Sequence, residues 1–141
     1  MQKEKDLASY IKVLRDNEPR VIMAGNITYT GQTIDRQGYD NASHVILTGA
    51  LTDSLFTCNL WESDDSGMAG ETKVASTDLI GQVQDFVITG TGGADSNKAF
   101  KVGYKGIRRY HRLKIVQSGA TTGGYICSVS VQSGPDFAPV S

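Results

Sequence analysis

The sequence predicts an all-β fold, a jelly-roll-like antiparallel two-sheet sandwich with a short N-terminal helix, and three observations lead there. From Arg20 onward apolar and polar residues alternate with a period near two, the spacing of half-buried strands. The 16 glycines are spread along the chain beside only 3 prolines, as expected for many short strands joined by tight turns. A length of 141 residues fits one domain with one core. The seven-stranded immunoglobulin-like sandwich is the competing architecture.

The helix is predicted over Asp6 to Asp16, where Leu7, Tyr10, Ile11 and Leu14 recur at the i, i+3, i+4, i+7 spacing of one apolar stripe. Pro19 favours extended chain next. A helix this short is marginal alone, so its stripe must pack on the sandwich or on a neighbouring subunit. Residues 1–18 are therefore assigned to a helical arm and 19–141 to the sandwich. Short strands are expected at Val21 to Ala24 and Ile27 to Thr30, then at His44 to Leu51. In Leu55 to Glu62, Phe56, Cys58 and Leu60 share one face, and Ser63 to Gly67 is a dense turn signal. Weaker strands follow near Thr72 to Ser76 and Gln84 to Thr89, with a flexible loop over Gly90 to Asp95. Ala99 to Lys105 sets Phe100, Val102 and Tyr104 on one face; Tyr110 to Gln117 does so with His111, Leu113 and Ile115. Gly124 to Gln132 alternates Tyr125, Cys127, Val129 and Val131 against Ile126, Ser128 and Ser130. The tail over 135–141 is expected to be extended.

A net charge of −1 argues against a general nucleic-acid binder. That total hides a segregation. Asp53 to Asp95 holds eight acids and one base, Lys73, whereas Lys98 to Lys114 holds seven bases and no acid. Arg108-Arg109-Tyr110-His111-Arg112 could form a solvated strand face balanced by the acidic third, a protein interface, or a site for single-stranded nucleic acid. No apolar run approaches about 18 residues, so no membrane-spanning helix is expected, and the first residues lack the apolar stretch of a secretory signal. Cys58 and Cys127 fit buried thiols or one disulfide.

The inventory for catalysis is sparse, and no enzyme activity, cofactor or metal is expected. His44 and His111 form no metal-binding pair; His111 alternates with core residues, and His44 opens a strand as an edge or surface group. Glu62 to Gly67 gathers oxygen ligands without the order of a calcium loop, so it reads first as a hairpin turn. Thr89 to Gly93 lacks the Lys-Ser/Thr ending of a phosphate loop.

Three segments carry a resemblance: Ile34-Asp35-Arg36-Gln37-Gly38-Tyr39, Leu60-Trp61-Glu62-Ser63-Asp64-Asp65, and Tyr104-Lys105-Gly106-Ile107-Arg108-Arg109-Tyr110, closed by Ser133-Gly134-Pro135. Over about residues 34–140 the succession resembles small virion proteins of tailed bacteriophages, the podovirus capsid cement or decoration proteins. The resemblance implies a jelly roll on the capsid exterior, made in the host cytoplasm, that clamps neighbouring major capsid subunits. The major capsid protein and a second copy, as a homodimer, would be its partners, with neither nucleic acid nor membrane involved. Leu7, Tyr10, Ile11 and Leu14 of the arm, and Arg108, Arg109 and Arg112 of the basic strand, are the expected contact residues. A receptor- or carbohydrate-binding module of a fibre or spike, using Trp61 or Tyr39 to stack on sugars, is the alternative.

Overall fold

A computed structural model describes residues 7–22 and 25–136, and within them the chain is an antiparallel two-sheet sandwich. Its strands are β1 (Ile11–Arg15), β2 (Arg20–Ile22), β3 (Gly25–Thr30), β4 (Ile34–Asp35), β5 (Tyr39–Leu51) and β6 (Leu55–Ser63). There follow β7 (Thr72–Lys73), β8 (Leu79–Ile80), β9 (Phe86–Thr89), β10 (Ala99–Tyr104), β11 (Tyr110–Ala120) and β12 (Gly124–Pro135). The first sheet runs β1-β12-β5-β10-β8, with β2 also on β12. The second runs β3-β11-β6-β7, with β4 on β11 and β9 on β6.

These pairings are nested. The first strands pair with the last (β1 and β2 with β12), then β3 and β4 with β11, β5 with β10, and β6 with β9. A ribbon of nested antiparallel pairs, rolled until β12 meets β5 and β11 meets β6, makes a jelly roll. Such rolling sends successive long strands to opposite sheets: β5 lies in the first, β6 in the second, β10 in the first, β11 in the second and β12 in the first.

The predicted N-terminal helix is not formed. Leu7–Ser9 is a single 3-10 turn, and Ile11–Arg15 is the edge strand β1, paired with β12 from Ile11↔Ser133 to Arg15↔Val129. The four apolar positions that suggested a helix therefore share no stripe. Ile11 lies on the outer face beside Ser133, and Leu14 on the inner face beside the fully buried Ser130. Alternating Ile-Lys-Val-Leu-Arg fits a strand as well as a helix, and the open edge of β12 decides between them. Asp6, residues Met23 and Ala24 of the strand expected over 21–24, and the tail over 137–141 lie outside the described residues.

The core sits between the sheets. Phe56, Cys58 and Leu60 of β6 and His111, Leu113 and Ile115 of β11 point inward, as their alternation predicts. Ile46, Val102, Tyr104 and Ile88 meet them from the other strands. Each large apolar side chain buried here contributes roughly 1.5–3 kcal/mol.

One end of this interior is polar. β12 turns Ser128, Ser130 and Gln132 inward, and β5 turns His44. Between β1 and β2 the edge strand bulges: Asp16 donates its N–H to the Ser128 carbonyl (3.2 Å), while Ser128 donates to that of Asn17 (2.9 Å). The bulge turns Asp16 and Asn17 into the sandwich, where Asn17 donates from its backbone and side chain to Ser128 Oγ. Gly31 leaves room for this insertion, because a Cβ there would stand 2.0 Å from Asp16 Oδ1 and 2.9 Å from the Leu113 carbonyl oxygen. Gly31→Ala is therefore expected to lower unfolding free energy by about 2–3 kcal/mol, read from urea denaturation.

Candidate interaction surface

Polar residues inside β12 oblige its apolar residues to face out. On the outer side of the first sheet Val129 lies directly opposite Val45, Cys127 opposite Leu47, and Val131 opposite Val13. Ile80 of β8 extends the row beyond Gly103. Val13, Leu47, Tyr125 and Ile80 are 55%, 45%, 54% and 57% exposed, and no described element covers them. Of the described strand residues on this face only Arg15 and Lys101 are charged, and both are cations. Two grooves bound it. One, about 480 Å³, is lined by Pro19, Leu47, Gly49, Tyr125 and Cys127. The other, about 470 Å³, lies among Ile80, Lys101, Gly103 and Ile107, and Ile107 is 90% exposed. A continuous apolar face of this kind is the usual mark of a protein-binding surface.

The opposite sheet handles charge differently, because its bases are already occupied. Arg112 forms a bidentate pair with Glu71 (2.8 Å for both bonds), and Lys114 bonds the same carboxylate. Arg109 is bidentate on Asp35 (2.9 and 2.8 Å), and Arg108 pairs with Asp64. Arg112 hydrogen bonding, joined by Lys114, holds the Glu71 carboxyl below its ordinary pKa against the opposing effect of burial; Arg109 and Arg108 do the same for Asp35 and Asp64. Glu71 and Asp64 belong to the acidic third, so three of these links follow from β11 lying beside β6, whose far edge carries β7.

The residues singled out from sequence are dispersed. Leu7 is exposed on the 3-10 turn and Tyr10 stands in the turn after it; Ile11 and Leu14 lie on opposite faces of β1. Arg108 and Arg109 are half-exposed where the loop enters β11, and Arg112 lies on the outer face of the second sheet. Trp61 is no open platform for a sugar, since Lys114 Nζ sits 4.2 Å from its ring centroid and Lys73 Nζ lies 5.9 Å away. In the Tyr104-to-Tyr110 segment, Gly106 fits against the Tyr104 ring, where a Cβ would stand 2.5 Å from the hydroxyl. Asp65 accepts bonds from the Gly67 and Ala69 N–H groups and closes its own hairpin.

His44 and Cys127 differ from expectation. His44 is fully buried, not an edge group, and bonds Asp16 and His111. Cys58 and Cys127 are free thiols on different sheets; Cys58 is buried, which pushes its pKa far up, and half-buried Cys127 faces outward. The outer apolar face itself was written in the sequence as the Tyr125, Cys127, Val129, Val131 series. Nothing in the alternation told which side was the core.

Fold and surface together define a small jelly-roll sandwich with one uncovered apolar sheet face. No family model matches the chain, and no curated protein matches it. Among solved structures it is similar to the crystal structure of PirA, with a TM-score of 0.36 and 10% identity over 95% of this chain and 99% of that one. At that level the likeness bears on neither architecture nor function.

Glu71→Gln is expected to cost about 1 kcal/mol of stability at pH 7, because it leaves Arg112 and Lys114 without a carboxylate. The folded pKa of Glu71 is depressed, so its stabilisation is full above the unfolded value of about 4.3 and lost as pH falls through the folded one. Denaturation midpoints of variant and wild type should therefore converge at acid pH.

Proposed function

We propose that this chain is a structural protein that lays the outer face of its first sheet on a larger protein assembly, as a capsid cement protein on a tailed-phage head. The uncovered apolar face between Val13 and Ile80 carries this reading. The phage-like segments supply the identity of the assembly. Arg108, Arg109 and Arg112 already hold carboxylates of the same chain, so the contact is assigned to the apolar face and its rim rather than to the basic strand. Arg15 and Lys101 fit a major capsid surface whose apolar patch is edged by carboxylates; they would steer orientation more than affinity. Repetition on the shell lets each contact be modest, because a clamp gripping two subunits gains effective concentration.

The test is the number of copies per particle, measured by quantitative mass spectrometry on virions of the phage that encodes the chain. A ratio to the major capsid protein approaching one is expected. No copies, or only a handful at a vertex or tail, would overturn the cement reading. The double variant Val13→Glu/Leu47→Glu alters two side chains already about half in water, so the fold should survive. It should reduce bound copies at least about tenfold, since burying each apolar side chain against the shell contributes roughly 1.5–3 kcal/mol. Binding equal to wild type would sink the assigned face.

A further inference from the structure

The sandwich interior holds a row of titratable side chains that docking through the outer face does not use. Asp16 Oδ2 lies 2.6 Å from His44 Nδ1, and His44 Nε2 lies 2.8 Å from His111 Nδ1. His111 in turn stacks on the Tyr104 ring, with centroids 4.9 Å apart and planes 25° from parallel. Both histidines are sealed from solvent and Asp16 is 2% exposed. We propose that this row is an acid-released latch that fastens the N-terminal edge strand β1 to the sandwich.

Placement supports the latch. Asp16 directly follows β1, a five-residue edge strand whose other side meets no described strand. So short an edge has few bonds of its own, and the inserted Asp16-Asn17 pair ties it to β5, β11 and β12 at once. The proton count supplies the switch. Each of the two hydrogen bonds in the row takes one proton, one from His44 Nδ1 to the Asp16 carboxylate and one shared between the facing ring nitrogens. A third proton on the rings puts an N–H on His111 Nε2, which is buried and has no hydrogen-bond partner among the described residues. A fourth on the rings forces two N–H groups to face each other. Excess protons are therefore better held by the opened, hydrated form.

The surroundings add to this. Burial holds the pKa of His111 well below the ordinary value, the nearby His44 and Arg36 press it further down, and Asp35 opposes them. Tyr104, from β10, gives its hydroxyl proton to Glu62 of β6 and has the Arg36 guanidinium over its ring. Asp35, at the end of β4, is held by Arg109, with Lys12 of β1 nearby. From β12 only the neutral Ser128, Ser130 and Gln132 face the row. A histidine with a depressed folded pKa stabilises the closed form fully above about pH 6.5, and that contribution is lost as pH falls below it. One proton taken up on opening raises the open population at most about tenfold per pH unit.

Hydrogen–deuterium exchange on the full chain between pH 8 and pH 5, expressed as protection factors corrected for intrinsic rates, tests the latch. Amides of Ile11 to Asn17 should lose up to about tenfold protection per unit below about pH 6.5, while those of Leu60 and Leu113 keep theirs. Protection over β1 that stays flat to pH 5 would overturn the proposal. So would a parallel loss at Leu60 and Leu113, which marks global unfolding. His111→Asn can still offer an N–H to His44 without titrating, and should flatten the pH dependence over β1; an unchanged slope would remove His111 from the latch. The wild-type profile decides the matter if that variant does not fold.

Discussion

The hydrogen bond between Asp16 and His44 is the contact around which the polar half of the interior is organised. A carboxylate taken out of water costs several kcal/mol unless it is paired, so once the edge strand turns Asp16 inward its neighbours are constrained. His44 must stand beside it from β5, His111 must occupy the far nitrogen of His44, and position 31 must carry no side chain. Asn17 and Ser128 close the opening behind it with their own bonds. The same demand fixes register. Sliding β12 by one residue would bring Val129 and Val131 inside and leave Asp16 and Asn17 facing apolar side chains.

That constraint reaches the outside of the molecule. A strand has two faces, and β12 gives its inner one largely to Ser128, Ser130 and Gln132, so its valines and Tyr125 turn outward, where they meet their neighbours on the sheet and solvent. β5 shows the same division, with His44 and Thr48 inside and Val45 and Leu47 outside. The apolar outer face is thus the counterpart of the polar interior, and both follow from the same two strands. A single substitution that inverted this preference would have to satisfy Asp16 by some other means.

Much of the architecture was legible because the second sheet obeys the simple rule. Phe56, Cys58, Leu60, His111, Leu113 and Ile115 are all inward, and the strand boundaries around them fall close to their alternation. The misreadings gather on the first sheet. Spacing of Leu7, Tyr10, Ile11 and Leu14 satisfies a helix, but local pattern carries no information about the vacant edge of β12 that captures the segment. His44 looked like a surface residue because its partners, Asp16 and His111, are 28 and 67 positions away. The side of β12 facing inward was equally hidden, since a polar core is chosen by distant partners rather than by the strand's own sequence.

Charge patterning completes the division of labour between the sheets. Parts of the acid-rich and base-rich blocks of the sequence meet along the second sheet and its loops, where Arg112 and Lys114 close on Glu71 and Arg108 closes on Asp64. Pairs of this kind are individually small in solvent, yet like charges set opposite one another are unfavourable, so they help hold β11 against β6 in one register. Their effect on recognition is to withdraw charge: a basic strand that holds its own carboxylates offers little to an acidic partner. On the first sheet Arg15 and Lys101 form no ion pair with an acid of their own strand face among the described residues, although Asp40 of β5 lines the groove beside Lys101. The two sheets therefore differ in how they treat charge: the second answers its cations within the chain while still exposing Leu55, Val87 and Val116, and the first sets Arg15 and Lys101 at the margin of a mostly apolar face.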